Sequence, residues 1–274
     1  MSKFIWGSIF SLLLVACKKD DISAGNDPNF TIVSHHDEGF KKFNRKVVVF
    51  GIPIYAVKKV EDSKLLHAAN VLAQYLDNNE DSIVDNLQVL DAMLSNNAFL
   101  FLWKKSSDVN KVNPPDGYEG QDLGNDETVP DWHKNGHTGR FDATIEEVWH
   151  LVTHTGYASA YPNIFGEMDG TSLCNAMDIA RGGKFTTIPN PYPQSAWYTY
   201  DDKSCDYSCM AAEYIYWAMS SILGAQENRL DEIEQEWKLN TLNLVQNNDS
   251  TIFNLLSDPQ YHFPTNLPDG TYRH

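Results

Sequence analysis

The chain has 274 residues, with 37 Asp and Glu against 21 Lys and Arg and a net charge of −16. That balance excludes a binder of duplex nucleic acid, which needs a basic face against phosphate. The length and the 42% hydrophobic content suit one compact domain once an N-terminal leader is set aside.

The leader comes first in the chain. Lys3 precedes an apolar run from Phe4 to Ala16 that is too short to span a bilayer and reads as a secretory signal over residues 1–16. Leu14-Val15-Ala16-Cys17 resembles a bacterial lipobox, and the resemblance implies cleavage before Cys17 and lipidation of that cysteine. The next four residues, Lys18-Lys19-Asp20-Asp21, look like the export tag of Bacteroidota surface lipoproteins. Residues 17–29 are then a lipidated tether, and the lipid bilayer is the first expected partner. The expected location is the cell envelope, on the outer membrane. No later stretch approaches the twenty apolar residues that a span requires.

Residues 30–274 read as a single globular domain of α+β class, mainly helical, with a small N-terminal sheet. Its first part, 30–103, has β-rich runs at Lys46–Val57, enough for one or two strands, and at Ala98–Trp103. Between them lie two amphipathic stretches, Leu65–Leu76 and Leu87–Leu94, joined by Asp77-Asn78-Asn79-Glu80-Asp81-Ser82-Ile83-Val84-Asp85. Helix, acidic loop, helix is similar to the EF-hand order. The resemblance implies a weak calcium site built from Asp77, Asn79, Asp81, the Ile83 carbonyl and Asp85, with Ile83 in the apolar slot. Ser82 stands where the turn prefers glycine, and Gln88 where a bidentate glutamate is usual. Residues 104–140 are rich in Asp, Gly, Pro and Asn and read as one long loop, with His133 and His137 exposed on it.

The second part, 141–274, is the helical metal-site region, with helices expected near 142, at 171–181, 207–223 and 228–246. Its first helix carries Glu146-Glu147-Val148-Trp149-His150-Leu151-Val152-Thr153-His154. Positions three or four apart share a helix face, so Glu147, His150 and His154 form one stripe and two imidazoles can reach one divalent ion. The run Cys209–Met219 is apolar around nearly its whole circumference except for Glu213. A buried carboxylate needs a proton, a cation or a hydrogen-bond donor, here a tyrosine, Arg181, Arg140 or a metal.

Together these two segments resemble the gluzincin metallopeptidases, in which two helical histidines and a glutamate from a later helix hold zinc. The resemblance implies His150, His154 and Glu213 as zinc ligands, Tyr214 or Tyr216 as oxyanion donor, and a peptide or other small substrate. The family pattern is His-Glu-x-x-His, and the base position after His150 is Leu151. Glu147 is therefore the candidate base, with Glu146 second, unless Glu147 binds the ion itself. Of the cysteines after Cys17, Cys174, Cys205 and Cys209 are the candidates for one disulfide that leaves one thiol over, and a bridge from Cys174 to Cys205 or Cys209 would tie the segment after the histidine helix to the start of the Glu213 helix. The expected function is a membrane-tethered zinc-dependent hydrolase. The alternative is a calcium-stabilised surface lipoprotein that binds a ligand without catalysis.

Overall fold

A computed structural model describes residues 30–273. The expected signal, Cys17 and the whole tether lie outside them. Five strands, β1 (Val33–Ser34), β2 (Arg45–Val49), β3 (Ile52–Ala56), β4 (Phe99–Trp103) and β5 (Gly120–Gly124), form one mixed sheet in the order β1-β2-β3-β4-β5. The first three are antiparallel, and β4 and β5 add in parallel. The Lys46–Val57 run is thus two strands folded into a hairpin. Phe50 and Gly51 both have positive φ, +47° and +91°, which is the turn whose twist matches paired strands. Val47, Val49, Ile52 and Ile54 all point to the core.

The helices are α1 (Asp62–Leu76), α2 (Leu87–Ser95), α3 (Ser106–Val109), α4 (Asp131–Lys134), α5 (Thr144–Leu151), α6 (Ala158–Ala160), α7 (Pro162–Phe165), α8 (Ser172–Ala180), α9 (Tyr207–Ile222), α10 (Leu230–Ile233), α11 (Leu242–Asn248) and α12 (Ser250–Leu256). A π-helical stretch, Val152–Tyr157, joins α5 to α6. The class is α+β with a helical excess. Among the described residues no helix is long and apolar enough to cross a membrane.

Helix α1 buries Leu65, Ala68, Ala69, Leu72 and Leu76 and packs on β2 and β3, and α5 lies against α1, β5 and α9. That placement sets the first turn of α5 between the sheet edge and a buried helix.

Three local expectations need correction. Residues 104–140 are not one loop, because β5 lies within them. Its Gly120 faces Phe99, whose ring would come within 2.3 Å of any added Cβ, so a glycine that looks like a turn signal is a packing requirement of the strand. Residues 228–246 are not one helix. They break around Trp237, whose fully buried indole donates to Ser221 Oγ and to the Leu239 carbonyl, while Lys238 N donates to the Trp197 carbonyl. Burial of that ring overrides local propensity. Finally, the disulfide joins Cys205 to Cys209, and Cys174 is a buried free thiol. The Cα atoms of the bonded pair are 5.3 Å apart because Asp206, between them, caps α9 by accepting from Cys209 N. What ties the segment before α8 to α9 is the bond from Ser208 Oγ to Glu167, and Tyr207 OH donates to Asp178.

Candidate metal centre

Helix α5 begins after Asp142, whose Oδ1 accepts from Thr144 N and Thr144 Oγ1. Ile145, Val148 and Trp149 pack into the core, which turns Glu146, Glu147 and His150 away from it. Two acids in a first turn suit the positive end of the helix dipole. His150 lies one turn beyond Glu146, with Nε2 4.0 Å from Glu146 Oε1. Helix α9 brings Glu213 to the same atom, Oε1 at 3.6 Å from Nε2. Ligand atoms of Glu146, His150 and Glu213 all lie within 4.8 Å of one another. Both ring nitrogens of His150 are buried and neither has a hydrogen-bond partner.

This arrangement is electrostatically unfavourable without a cation. Burial is the main reason that Glu146 and Glu213 are each pushed up to about 7, and repulsion between acids adds to it. His150, then Tyr216 and Arg229, pull Glu146 down in part, and a hydrogen bond from Tyr200 does the same for Glu213. Glu147 is raised well above the carboxylate range by burial and by Glu146, while a bond from Gln121 Nε2 opposes the rise. Burial lowers His150, so its imidazole is held neutral, as a ligand must be. Two carboxylates and a neutral imidazole around one point are a donor set that a divalent ion fits. No arginine meets Glu213 among the described residues: Arg181 bonds the Phe185 carbonyl, Tyr192 and Met210 instead.

His154 stands apart from this group. Its side chain is 53% exposed, with Nδ1 2.7 Å from Glu167 Oε2 and Nε2 3.7 Å from Glu119 Oε2. His154 lies inside the π-helical stretch that begins at Val152, and its ring is engaged by Glu167 and Glu119 rather than by the cluster. Thr153 and Thr155 bond back to the carbonyls of Trp149 and Leu151, and Gly156 lets the widened turn approach Val89 and Met93.

Tyr214 is a core residue, donating to Asp249 Oδ2 at 2.6 Å among Tyr198 and Trp237. Tyr216 is at the cluster, its ring 5.6 Å from that of His150 and its hydroxyl accepting from Gln226.

The residues brought together fall in the register Glu146-Glu147-Val148-Trp149-His150. This is the spacing of His-Glu-x-x-His with glutamate in the first ligand slot, so Glu147 occupies the base position. The sequence directs attention to the paired histidines and away from Glu146 as a candidate ligand; a pattern allowing an acid in that slot finds it. Tyr200 carries no sequence signal beyond an aromatic ring in a proline-rich segment. It bonds Glu213 and lines a cavity of about 680 Å³ with Ile188, Pro189, Tyr192 and Asp201.

No protein-family model matches the chain, and no curated protein or solved structure matches it either.

The acidic loop between α1 and α2 keeps its helix-loop-helix setting, and Ser82 takes φ +73° where glycine is preferred. Asp77 is buried and accepts from Asp81 N, Ser82 N and Tyr272 OH. Asn79, Asp81 and Asp85 each accept one backbone N–H from within the loop. Ile83 is 66% exposed, so the apolar slot belongs to Val84, which is buried.

Proposed function

We propose that the chain is a zinc-dependent hydrolase of gluzincin type, acting on peptides and tethered to the cell envelope by lipid on Cys17. The observation that carries the reading is a buried histidine with both nitrogens unpaired, facing two carboxylates at 3.6 and 4.0 Å. Glu146, His150 and Glu213 are the ligands. Zinc, when bound, supplies charge stabilisation for a polarised carbonyl and activation of water. Glu147, held by Gln121 and raised toward neutrality by burial, is the group that takes a proton and returns it to the leaving amine. Tyr216 steadies Glu146, and Tyr200 steadies Glu213 from the wall of the large cavity, where the substrate side chains would sit. Strand β5 is the sheet edge that carries Gln121, so an extended peptide lying along it would pass Glu147.

Calcium in the 77–85 loop belongs to the same proposal as a structural ion that would relieve the repulsion Asp77 and Asp81 exert on Asp85. Hydrolysis of a peptide library by the zinc-loaded chain tests the reading. Glu147→Gln is expected to retain zinc and lose about 10²–10⁴ in rate. Zinc retention with no hydrolysis by the parent would leave a non-catalytic ligand-binding lipoprotein.

A further inference from the structure

A second cluster lies on the other side of Asp142. His67 on α1 and His133 on α4 direct Nε2 at the same atom, Asp142 Oδ2, at 2.6 and 3.0 Å. The side chains are almost fully buried, at 4%, 6% and 0% exposure for His67, His133 and Asp142, so His133 is not the exposed loop histidine that its glycine-rich surroundings predict. The other carboxylate oxygen, Oδ1, is already filled by Val129 N, Thr144 N and Thr144 Oγ1. The carboxylate cannot turn, and Oδ2 is kept for the imidazoles. His133 Nδ1 is buried without a partner, so nothing polar holds that ring from behind and its position depends on the Nε2 side. Both histidines line a cavity of about 380 Å³ with Lys64, Asp131 and Asp269, which gives an ion a route in and room for an exogenous ligand.

We propose that His67, His133 and Asp142 form a second divalent transition-metal site, separate from the one on Glu146, His150 and Glu213. Two imidazoles and one carboxylate on a cavity wall are a donor set used for zinc and for iron(II). An ion about 2 Å from each donor would separate them to roughly 3.3 Å, moving His67 back by about 0.7 Å and His133 by about 0.3 Å. The three ligands come from three places in the chain, so the ion would fasten α4 and the start of α5 to α1. Asp142 is one turn before Glu146, so the fastening also fixes the first ligand of the other site. Thr144 is a positioning residue here, acting through Asp142.

Zinc stoichiometry of the full chain, measured by titration against a chelating dye, tests this directly. The parent should take up a second equivalent beyond the one removed by His150→Gln. His133→Gln, whose amide can still donate to Asp142, should lose that second equivalent while its melting temperature in excess chelator matches the parent's. Thr144→Val should weaken it by about 10–100-fold. Anomalous diffraction at the zinc edge from parent crystals soaked in zinc needs no variant, and a peak between His67, His133 and Asp142 is expected. Uptake unchanged by His133→Gln, or no anomalous peak at that point, would overturn the proposal and leave a hydrogen-bonded His-Asp-His brace.

Discussion

Position 146 shows how a single residue decides the site. A glutamate before another glutamate at a helix start reads as ordinary dipole compensation, and the eye passes to the histidine pair downstream. Only the position of His150 relative to Glu213 in space separates a ligand from a cap. Asp249 makes the same point in the core, where it accepts from Tyr214 OH and Trp197 Nε1 and caps α12. Burial raises its pKa above 3.8, against the pull of those hydrogen bonds. The folded chain therefore holds this proton more firmly than the unfolded chain does. Stability from this group is complete below pH 3.8 and is lost as pH climbs through the raised value. Denaturant unfolding across a pH series should give a parent-minus-Asp249→Asn difference that falls over that window; a flat difference would refute the assignment.

At the scale of elements, the β-rich run at Lys46–Val57, α1, α2, α5, α8 and α9 are readable in the sequence, because each shows its period or its apolar run directly; that the run folds into a hairpin is not. The π-helical stretch is not readable, since nothing in Val-Thr-His-Thr-Gly-Tyr departs from a helical pattern. Its cause is tertiary: Gly156 lets the widened turn lie against α2. A Cβ there would come 2.7 Å from Val89 Cγ1 and 3.0 Å from Met93 Cγ. Valine is stiff at χ1 and cannot easily yield. Overpacking costs about 1–3 kcal/mol, against about 1 kcal/mol gained in helix propensity. Gly156→Ala should thus lower stability by about 1 kcal/mol in denaturant unfolding, and a gain in stability would contradict the packing described here. Strand β5 is hidden for a related reason, its two glycines resembling loop residues while Phe99 and Trp103 lie across from them.

For the whole molecule, three of its acids are gathered in one half-buried cluster. Glu146, Glu147 and Glu213 meet beside a neutral His150, and their burial disfavours the folded state unless a cation joins them. Zinc at about 100 times its dissociation constant should then stabilise the chain by about 2.7 kcal/mol, visible as a rise in melting temperature that chelator reverses. A melting temperature indifferent to zinc and chelator would count against a bound ion. The α+β class and the pairing of one histidine helix with the Glu213 helix are legible in the sequence. That the ligand register puts Glu146 rather than His154 beside His150 and Glu213 is not, because it depends on how α5 and α9 pack.

That register is open to direct measurement. Zinc content should be determined by elemental analysis in two variants purified side by side, Glu146→Gln and His154→Gln. Glu146→Gln is expected to lose the ion from the site on α5 and α9, while His154→Gln keeps it. Loss of that ion in His154→Gln with retention in Glu146→Gln would contradict the assignment and return the site to the paired histidines.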